Sequence, residues 1–191
     1  MRKIDPNKIA AITSAVLDIV KSDGIVNLSM GKVAKLANVS PRTIYIYYDD
    51  KADLLGQMYL SVKHKIDGGL SEKLAVCPSL EAQLAIAIRH FAYGYNKWPR
   101  ETIYMNAIQQ NPELISPVIH EKVMQIAQPI FEMYEKMQLS PDFKHLPIET
   151  FTAIAAGPMN MLIAQAVVLD KKISDQEISD VIKGTQDAVR A

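Results

Sequence analysis

The segment from residue 42 to residue 47 combines a basic side chain with hydroxyl, aromatic and branched apolar side chains. The guanidinium of Arg42 is a planar fork that can donate two hydrogen bonds to one base edge. Tyr45 and Ile46 offer a flat ring and a branched chain that can contact neighbouring bases, for example the methyl group of a thymine. The hydroxyls of Thr43 and Tyr47 can donate to phosphate oxygens. These residue types predict a surface that reads duplex DNA, with base contacts from Arg42, Tyr45 and Ile46.

Such a surface has to stand on a rigid support, and the residues before it predict one. The hydroxyl of Ser29 can cap the start of a short helix. Val33, Leu36 and Ala37 then recur at the spacing of one buried helical face. Asn38 follows, and asparagine tolerates the left-handed conformation that ends a helix better than most residues. We therefore expect a first short helix that ends in a tight turn.

A second helix is expected to start directly after this turn. Ser40 is a candidate N-cap, and Pro41 falls on the first helical position, where its missing N–H costs nothing. Ile44 and Tyr48 lie one helical turn apart, so we expect both to face the first helix. The two elements form a helix-turn-helix. The side chains expected to point outward from it are Arg42, Thr43, Tyr45, Ile46 and Tyr47.

This helix-turn-helix resembles the DNA-binding end of the TetR (tetracycline-repressor) family of bacterial transcriptional regulators. The family pattern has a Thr or Ser that opens the first of the two helices, an Ala-Gly-Val-Ser turn, and a Leu-Tyr-x-x-Phe recognition helix followed by a lysine. In this chain Asn38 replaces the usual glycine and Tyr48 the usual phenylalanine, and both changes are conservative for a turn and a core ring. The resemblance covers about the first third of the chain, and the matching residues are Ser29, Ala37–Ser40, Ile44–Tyr48 and Lys51.

The hydroxyl groups and the family match together imply a set of phosphate contacts. The start of the helix after Asp50 can add backbone N–H groups to this set. Arg2, Lys3 and Lys8 either reach the DNA backbone or form part of a solvated terminus. The predicted phosphate contacts are Ser29, Ser40, Thr43, Tyr47 and Lys51.

Charge is distributed unevenly along a chain whose formal net charge is zero. Residues 1–66 hold ten Lys or Arg against six Asp or Glu, whereas residues 67–191 hold eleven against fifteen. A locally basic end on a neutral protein is typical of a molecule that touches nucleic acid with one end.

Catalytic and metal-binding patterns are missing from the sequence. His64, His90, His120 and His145 are dispersed, and no glycine-rich phosphate loop or HExxH pattern occurs. Cys77 is the only cysteine, so no internal disulfide or cysteine-built zinc site can form. We expect no enzyme activity, no cofactor and no metal. No signal segment opens the chain, so we expect a cytoplasmic protein.

The remaining residues predict further helices and no strand, hence an all-α fold. Asp50 can cap a helix that begins at Lys51 or Ala52 and joins the DNA-binding part to the body, which is the remainder of the chain. We expect a DNA-binding domain over residues 1–50 and an effector-binding and dimerisation domain over residues 51–191. The connecting helix at the start of this second domain should span residues 51–66.

Residues 150–169 contain no charged side chain. Their length meets the threshold for a membrane span, but Gly157-Pro158, Asn160 and Gln165 interrupt the stretch and no basic or aromatic belt flanks it. We expect instead a helix covered by its own domain on one side and by a second subunit on the other. With the last helix, residues 175–190, it would form half of a four-helix homodimer interface, where the resemblance also places it. The predicted interface residues are Phe151, Ala155, Leu162, Ala164, Ala166, Ile178, Val181 and Ile182.

The body is rich in methionine and aromatic side chains, which allow two interpretations. They can be plain core, or they can line an apolar cavity for a small hydrophobic effector between helices. The predicted pocket would release a repressor dimer from its operator; the alternative is a helical regulator gated by a protein partner, with no cavity. The predicted pocket residues are Met58, Val62, Tyr93, Trp98, Tyr104, Phe131 and Tyr134.

Overall fold

The computed structural model of the chain describes residues 5–191. Apart from a single-residue bridge between Phe143 and Arg190, this part of the chain has no β-structure, so the predicted all-α fold is confirmed. Two short 3₁₀ helices, Ile25–Asn27 and Pro112–Leu114, accompany the α-helices. The α-helices are α1 (Pro6–Asp23), α2 (Met30–Leu36), α3 (Pro41–Ile44), α4 (Lys51–Asp67), α5 (Leu70–Ala75), α6 (Leu80–Lys97), α7 (Pro99–Gln109), α8 (Pro117–Leu139), α9 (Ile148–Val168) and α10 (Asp175–Val189).

The chain packs as two compact units whose boundaries differ from a simple division at residue 50. The first unit runs from the N-terminal part of the chain to Lys63 and also includes Arg100–Val123. The second unit consists of His64–Pro99 and Met124–Ala191. The first unit therefore contains α7 and the beginning of α8 in addition to the helix-turn-helix. The predicted functional division of the chain remains a prediction.

In the first unit, α1 packs against α2, and α2 packs against α3. The side chains that join the three helices are fully or almost fully buried, because each helix turns one apolar stripe toward the others. They include Ile12 and Val16 of α1, Val33 of α2, and Ile44 and Tyr48 from α3 and the turn after it. Together these side chains form a small three-helix core.

Local signals at the ends of α2 and α3 act as the sequence predicts. The hydroxyl of Ser29 accepts a hydrogen bond from the backbone N–H of Lys32 at the start of α2. Ser40 does the same for the N–H of Thr43, and α3 begins at Pro41. Asn38 between the helices has φ of 52°, the left-handed conformation expected of it. The predictions for the two caps and for the turn are confirmed.

Two details of the helix-turn-helix differ from expectation. Val33 is buried as predicted, and Ala37 is half-buried. Leu36 is 54% exposed, so its placement on the buried face was wrong, and Ala34 is buried beside Val33. The regular part of α3 ends at Ile44, and the N–H groups of Ile46 and Tyr47 bond to carbonyls three residues earlier. The residues that follow Ile44 therefore lie on a tightened turn.

The second unit is built around α6, α9 and α10, which pack on one another. Its core includes Leu84 of α6, Met159 and Ile163 of α9, and Ile178 of α10. The short helix α5, which follows Gly69, escaped the sequence analysis because six residues are too few to show helical periodicity.

Candidate functional site

The candidate DNA-reading surface is the end of α3 and the turn after it. Ser40 and Thr43 stabilise its start, since their hydroxyl oxygens lie 2.9 Å apart and Ser40 also accepts from the Thr43 N–H at 3.1 Å. Ile44 and Tyr48 anchor its inner side in the core. The turn is therefore fixed by hydrogen bonds on one side and by packing on the other.

Three side chains project from this fixed turn into solvent. Arg42 is exposed, Tyr45 is 54% exposed and Ile46 is 44% exposed. Within residues 5–191, no side chain forms a hydrogen bond with Arg42 or Tyr45, so their donors are available to a ligand. The structure brings together the three residues proposed for base contacts on one accessible surface. Their contact with bases stays a prediction.

The hydroxyl candidates for phosphate contacts lie around the same turn. The hydroxyl of Tyr47 accepts a hydrogen bond from the backbone N–H of Asp5 at 3.4 Å, which leaves its own proton available for a phosphate oxygen. Thr43 is half-buried, and Ser29 and Ser40 are already engaged as N-caps. A hydroxyl that accepts from a backbone N–H can still donate, so capping and phosphate binding are compatible. Arg2 and Lys3 lie outside the described residues.

The start of α4 is more acidic than a phosphate-binding helix end requires. Asp50 accepts from the N–H of Asp53 at 2.8 Å, which confirms it as the cap of α4. The carboxylate of Asp53 accepts in turn from the N–H of Asp49 at 2.9 Å. Lys51, half-exposed at the first position of α4, is the cation available there. The predicted contribution of backbone N–H groups to phosphate binding therefore competes with two carboxylates that already use that end of the helix.

The sequence analysis did not single out Arg100, although it ties α7 to α1. Its Nη2 donates to the carbonyl oxygen and to the hydroxyl of Ser14, each at 3.0 Å, and its Nε lies 3.3 Å from Oδ1 of Asp18. These partners are more than 80 positions away in the sequence, and no local pattern marks such a pair. The charge of Arg100 and its place after Pro99 were the only signals available.

The predicted pocket residues of the first unit are part of its core. Met58, Val62 and Tyr104 are buried, and the hydroxyl of Tyr104 donates to the carbonyl oxygen of Leu55 at 2.6 Å. Burial raises the pKa of Tyr104 far above its usual value, with Tyr59 and Tyr48 adding to the rise. The Tyr104 ring is thus surrounded by protein atoms, and its hydroxyl has a hydrogen-bond partner.

The other pocket residues lie in the second unit and differ in exposure. Tyr134 is buried, its ring meets that of Phe151 edge to face at 5.7 Å, and burial raises its pKa to about 12. Phe131 is half-buried. Trp98, also half-buried, lies between the ammonium groups of two lysines, Lys65 and Lys97. Tyr93 faces solvent, where its hydroxyl donates to Asp175 at 2.9 Å. An effector pocket lined by these side chains remains a prediction.

Five of the eight predicted interface residues lie inside their own protomer. The core of the second unit covers them, so a partner subunit could reach them only by opening that core. Leu162 and Val181 are half-buried at its edge, and Ala164 is exposed. Pairing with a second subunit through any of the eight residues remains a prediction. The covered residues are Phe151, Ala155, Ala166, Ile178 and Ile182.

The outer face of α9 and the residue after it form an exposed apolar patch. Met161 is 61% exposed, Val168 83% and Leu169 65%, and Ala164 and Gln165 lie between them. Among the described residues, α9 alone is long and apolar enough by length and composition to cross a membrane. Because its other face packs in the core, α9 has the two-sided character that its uncharged sequence predicts.

Within residues 5–191, no group of three or more histidine, cysteine, aspartate or glutamate side chains is placed to hold a metal ion.

Comparison with known proteins identifies the N-terminal segment. Residues 12–58 match the family model described as bacterial regulatory proteins, TetR family. This match contains α2, α3, the start of α4 and the turn after α3. That turn, residues 45–47, is called the reading turn below. No protein with a curated description matches the chain in sequence.

Solved structures with the same fold extend over the whole chain. A TetR-family transcription regulator from Marinobacter aquaeolei VT8 is 23% identical, with a TM-score of 0.83 over 100% of this chain and 99% of its own. A TetR-family transcriptional regulator from Haemophilus influenzae RD is 19% identical, with a TM-score of 0.69 over 100% of both chains. The transcriptional regulator FadR from Bacillus subtilis, solved in complex with stearoyl-CoA, is 17% identical, with a TM-score of 0.64 over 93% of this chain and 95% of its own. Residues 12–58 of this chain thus match the model of the TetR family of bacterial regulatory proteins, and the chain as a whole has the fold of these solved structures.

Proposed function

We propose that the protein is a homodimeric transcriptional regulator that binds operator DNA through the turn after α3 and is released by a small apolar effector. The observation that carries the proposal is the surface formed by Arg42, Tyr45 and Ile46. These side chains face solvent from a turn that is capped, hydrogen-bonded and anchored in a core. A rigid surface of base-reading residue types supports sequence-specific DNA binding.

The direct test is selection of duplexes from a random pool by the purified protein. We expect one family of duplexes to be enriched and to bind more tightly than random duplexes of equal length, as fluorescence anisotropy would measure. Enrichment of no duplex at physiological salt would refute the proposal.

Lys51 is proposed to hold the DNA backbone beside this surface. Its substitution in Lys51→Ala should weaken binding to selected and random duplexes alike, because a phosphate contact carries no sequence information. The slope of log K against log salt concentration should fall by about one unit. An unchanged slope would remove Lys51 from the phosphate contacts.

The exposed patch on α9 supports the homodimer. Residues of α9 that face away from the core include small side chains, which allow a second helix to approach closely, and the apolar Met161 and Val168. Closed two-fold pairing would cover this patch and set the two reading turns about 34–36 Å apart or slightly more, as successive major grooves require.

Ala164→Arg is the substitution that tests this interface. Placing a charge on the outer face of α9 should convert the dimer to a monomer in sedimentation velocity and abolish binding to the selected duplex. Ser71→Arg, at an exposed position of α5, adds the same charge elsewhere and should leave the dimer intact. Sedimentation of the wild type as a monomer at micromolar concentration would refute the homodimer.

The effector is proposed to be flexible or flat and largely apolar. Support comes from the many methionine and aromatic side chains of the body, and one structure of the same fold, FadR from Bacillus subtilis, contains stearoyl-CoA. To act as a switch the effector must favour the form that cannot bind DNA, and a complete shift needs roughly a 10⁴-fold difference in affinity, about 5.5 kcal/mol. Such an effector would tilt α4 and move the two reading turns off their spacing, which relieves repression.

A thermal-shift screen separates this proposal from control by a protein partner. The panel should contain neutral aromatic compounds, long-chain alcohols and stearoyl-CoA. We expect a compound that raises the melting temperature and also releases the selected duplex. If no compound in the panel does both, while a purified protein partner releases the duplex, the partner-gated alternative is correct.

A further inference from the structure

Helix α7 contacts the helix that precedes the helix-turn-helix. From the first turn of α7, Nη2 of Arg100 donates to the carbonyl and hydroxyl oxygens of Ser14 on α1, each at 3.0 Å. Its Nε forms an ion pair with Oδ1 of Asp18 at 3.3 Å, without the geometry of a hydrogen bond. The charged guanidinium thus combines two hydrogen bonds from one nitrogen with an ion pair from another, all directed at α1. The contact is specific in geometry although it is only partly buried.

The same face of α7 also contacts the helix that follows the helix-turn-helix. Tyr104 lies four residues after Arg100, on the same side of the helix. It is fully buried, and its hydroxyl donates to the Leu55 carbonyl oxygen of α4 at 2.6 Å. One face of α7 therefore contacts both α1, which precedes the helix-turn-helix, and α4, which follows it.

The beginning of α8 completes this arrangement. A Cβ atom placed on Gly56 of α4 would lie 2.8 Å from Cγ1 of Ile119, so α4 and α8 approach too closely for a larger residue. His120, the next residue of α8, donates from Nε2 to the carbonyl oxygen of Pro112 in the segment after α7. Helix α7 and the first turn of α8 are thus packed into the first unit together with the reading turn.

The two contacts on α7 differ in how easily they can change. Tyr104 is enclosed on all sides, so moving it would create a cavity. The ion pair of Arg100 with Asp18 is half-exposed, with side-chain exposures of 37% and 50%, and such pairs contribute little and exchange readily with water. The contact to α1 is therefore the adjustable one, and the contact to α4 is the fixed one.

We propose that Arg100 is a positioning residue for DNA recognition: it holds α1, and with it the reading turn, in the orientation that fits the base edges. This inference rests on the proposed DNA-binding function. Arg100 itself does not touch DNA in this proposal; it acts by setting the angle of α1, whose buried Ile12 and Val16 pack on the helices that carry the reading turn.

The test compares Arg100→Ala with the wild type on the selected duplex and on a random duplex. We expect affinity for the selected duplex to fall about fivefold, the equivalent of losing one partly exposed ion pair, while affinity for the random duplex is unchanged. The ratio of the two affinities is the decisive readout, because partial unfolding would lower both affinities equally. Arg100→Lys keeps the charge but lacks the planar guanidinium. Its ratio of the two affinities should lie between those of the wild type and of Arg100→Ala.

Arg89→Ala is the matched control. Arg89 is a half-buried arginine of α6 in the second unit, and its hydrogen bond to Tyr93 is at the limiting distance of 3.5 Å. The substitution removes the same charge, and we expect the affinity ratio to stay at the wild-type value. An equal fall in the ratio for both variants would show a net-charge effect and overturn the role of Arg100.

Hydrogen–deuterium exchange on the free protein gives a test without DNA. In Arg100→Ala the amides in the second half of α1 should exchange faster, whereas those of α6 should not change. Unchanged exchange in α1, or faster exchange with an unchanged affinity ratio, would overturn the inference. If the wild type itself selects no duplex, the proposed function fails, and the exchange result still decides whether Arg100 holds α1.

Discussion

Aromatic side chains of the reading turn and of the two cores have the same chemistry and opposite surroundings. Tyr45 points into solvent from a turn fixed by Ser40 and Ile44, whereas Tyr104 is fully buried with its hydroxyl bonded to a carbonyl. In the second unit the ring of Tyr134 packs edge to face on Phe151. A buried ring stabilises the fold through the apolar area it removes from water. An exposed ring such as that of Tyr45 contributes little to stability, and this agrees with the role in binding that we propose for it.

Because their surroundings differ, substitutions of buried rings and substitutions on the reading turn should change different properties of the protein. Changes at buried rings act on the free energy of unfolding and reach function only through it. Changes on the reading turn act on DNA affinity and leave stability nearly as it was. Each expectation below tests this separation.

The largest effect is expected from Tyr104→Ala. Removal of a fully buried aromatic side chain leaves a cavity and should destabilise the protein by about 3–5 kcal/mol. Tyr45→Ala, the exposed counterpart, should change stability by less than about 0.5 kcal/mol. Urea unfolding followed by circular dichroism measures both. Equal losses of stability in the two variants would break the comparison.

Tyr104→Phe refines this result because it keeps the ring and removes only the hydroxyl. The Leu55 carbonyl then loses its buried donor, and we expect a cost of about 1–3 kcal/mol. If Tyr104→Ala instead leaves stability intact and alters only the response to an effector, the ring lines a pocket as the sequence analysis predicts.

Arg42→Ala should reduce affinity for the selected duplex by about 1–3 kcal/mol and relax the preference at one base pair. The loss follows from removal of a donor pair aimed at a guanine edge. Competition binding against single-base variants of the selected duplex measures both quantities. An equal loss on random duplexes would assign Arg42 to the phosphates, and a lower melting temperature would place it among the stabilising residues.

The left-handed residues offer a matched pair in the two regions. Asn38, in the turn before α3, has φ of 52°, and Asp170, after α9, has φ of 46°. Alanine should cost about 1 kcal/mol at each position, because it keeps the Cβ that crowds the backbone here but lacks the short polar side chain that lets asparagine and aspartate tolerate this conformation. Glycine at either position should restore stability. A urea midpoint that falls with glycine as much as with alanine would mean that the side chain, and not the backbone conformation, matters.

We expect low pH to reduce stability by protonating His90 in the second unit. Residues 29–51 of the helix-turn-helix contain no histidine. Burial lowers the pKa of His90 below its usual 6.5, and Lys73 adds to this, while the hydrogen bond to the Ile66 carbonyl and the charge of Asp67 oppose it. The Nδ1 atom of His90 lies 3.2 Å from the Lys73 ammonium, so in the neutral ring Nδ1 accepts and Nε2 donates to Ile66.

Because the folded pKa of His90 is lowered, the folded protein takes up its proton less readily than the unfolded chain. The contribution of His90 to stability is therefore complete above pH 6.5 and declines as the pH falls below it. The melting temperature of the wild type should fall from pH 7.5 to pH 5.5. In His90→Gln, whose side chain can still donate to Ile66, the melting temperature should fall less over the same range. Identical losses in both proteins would exclude His90 as the acid-sensitive group.

Local signals determined the helix-turn-helix. The caps formed by Ser29 and Ser40 join atoms three residues apart, Pro41 sets its own backbone angle, and Asn38 adopts an unusual φ by itself. Interactions of this kind depend on neighbours in the sequence, so residue types at short spacing are enough to predict them. The all-α character of the described chain and the candidate base contacts followed from the same local reasoning.

Only the tertiary structure decided which faces are covered. Helix α9 is apolar around its circumference, so periodicity could not say that Phe151 and Ala166 enter the core while Ala164 stays outside. The contact of Arg100 with Ser14 joins positions 86 residues apart, and helical spacing in α7 contains no sign of it. Burial is the sum of contacts between segments distant in the chain, and one sequence specifies the composition of each segment but not which other segment it meets.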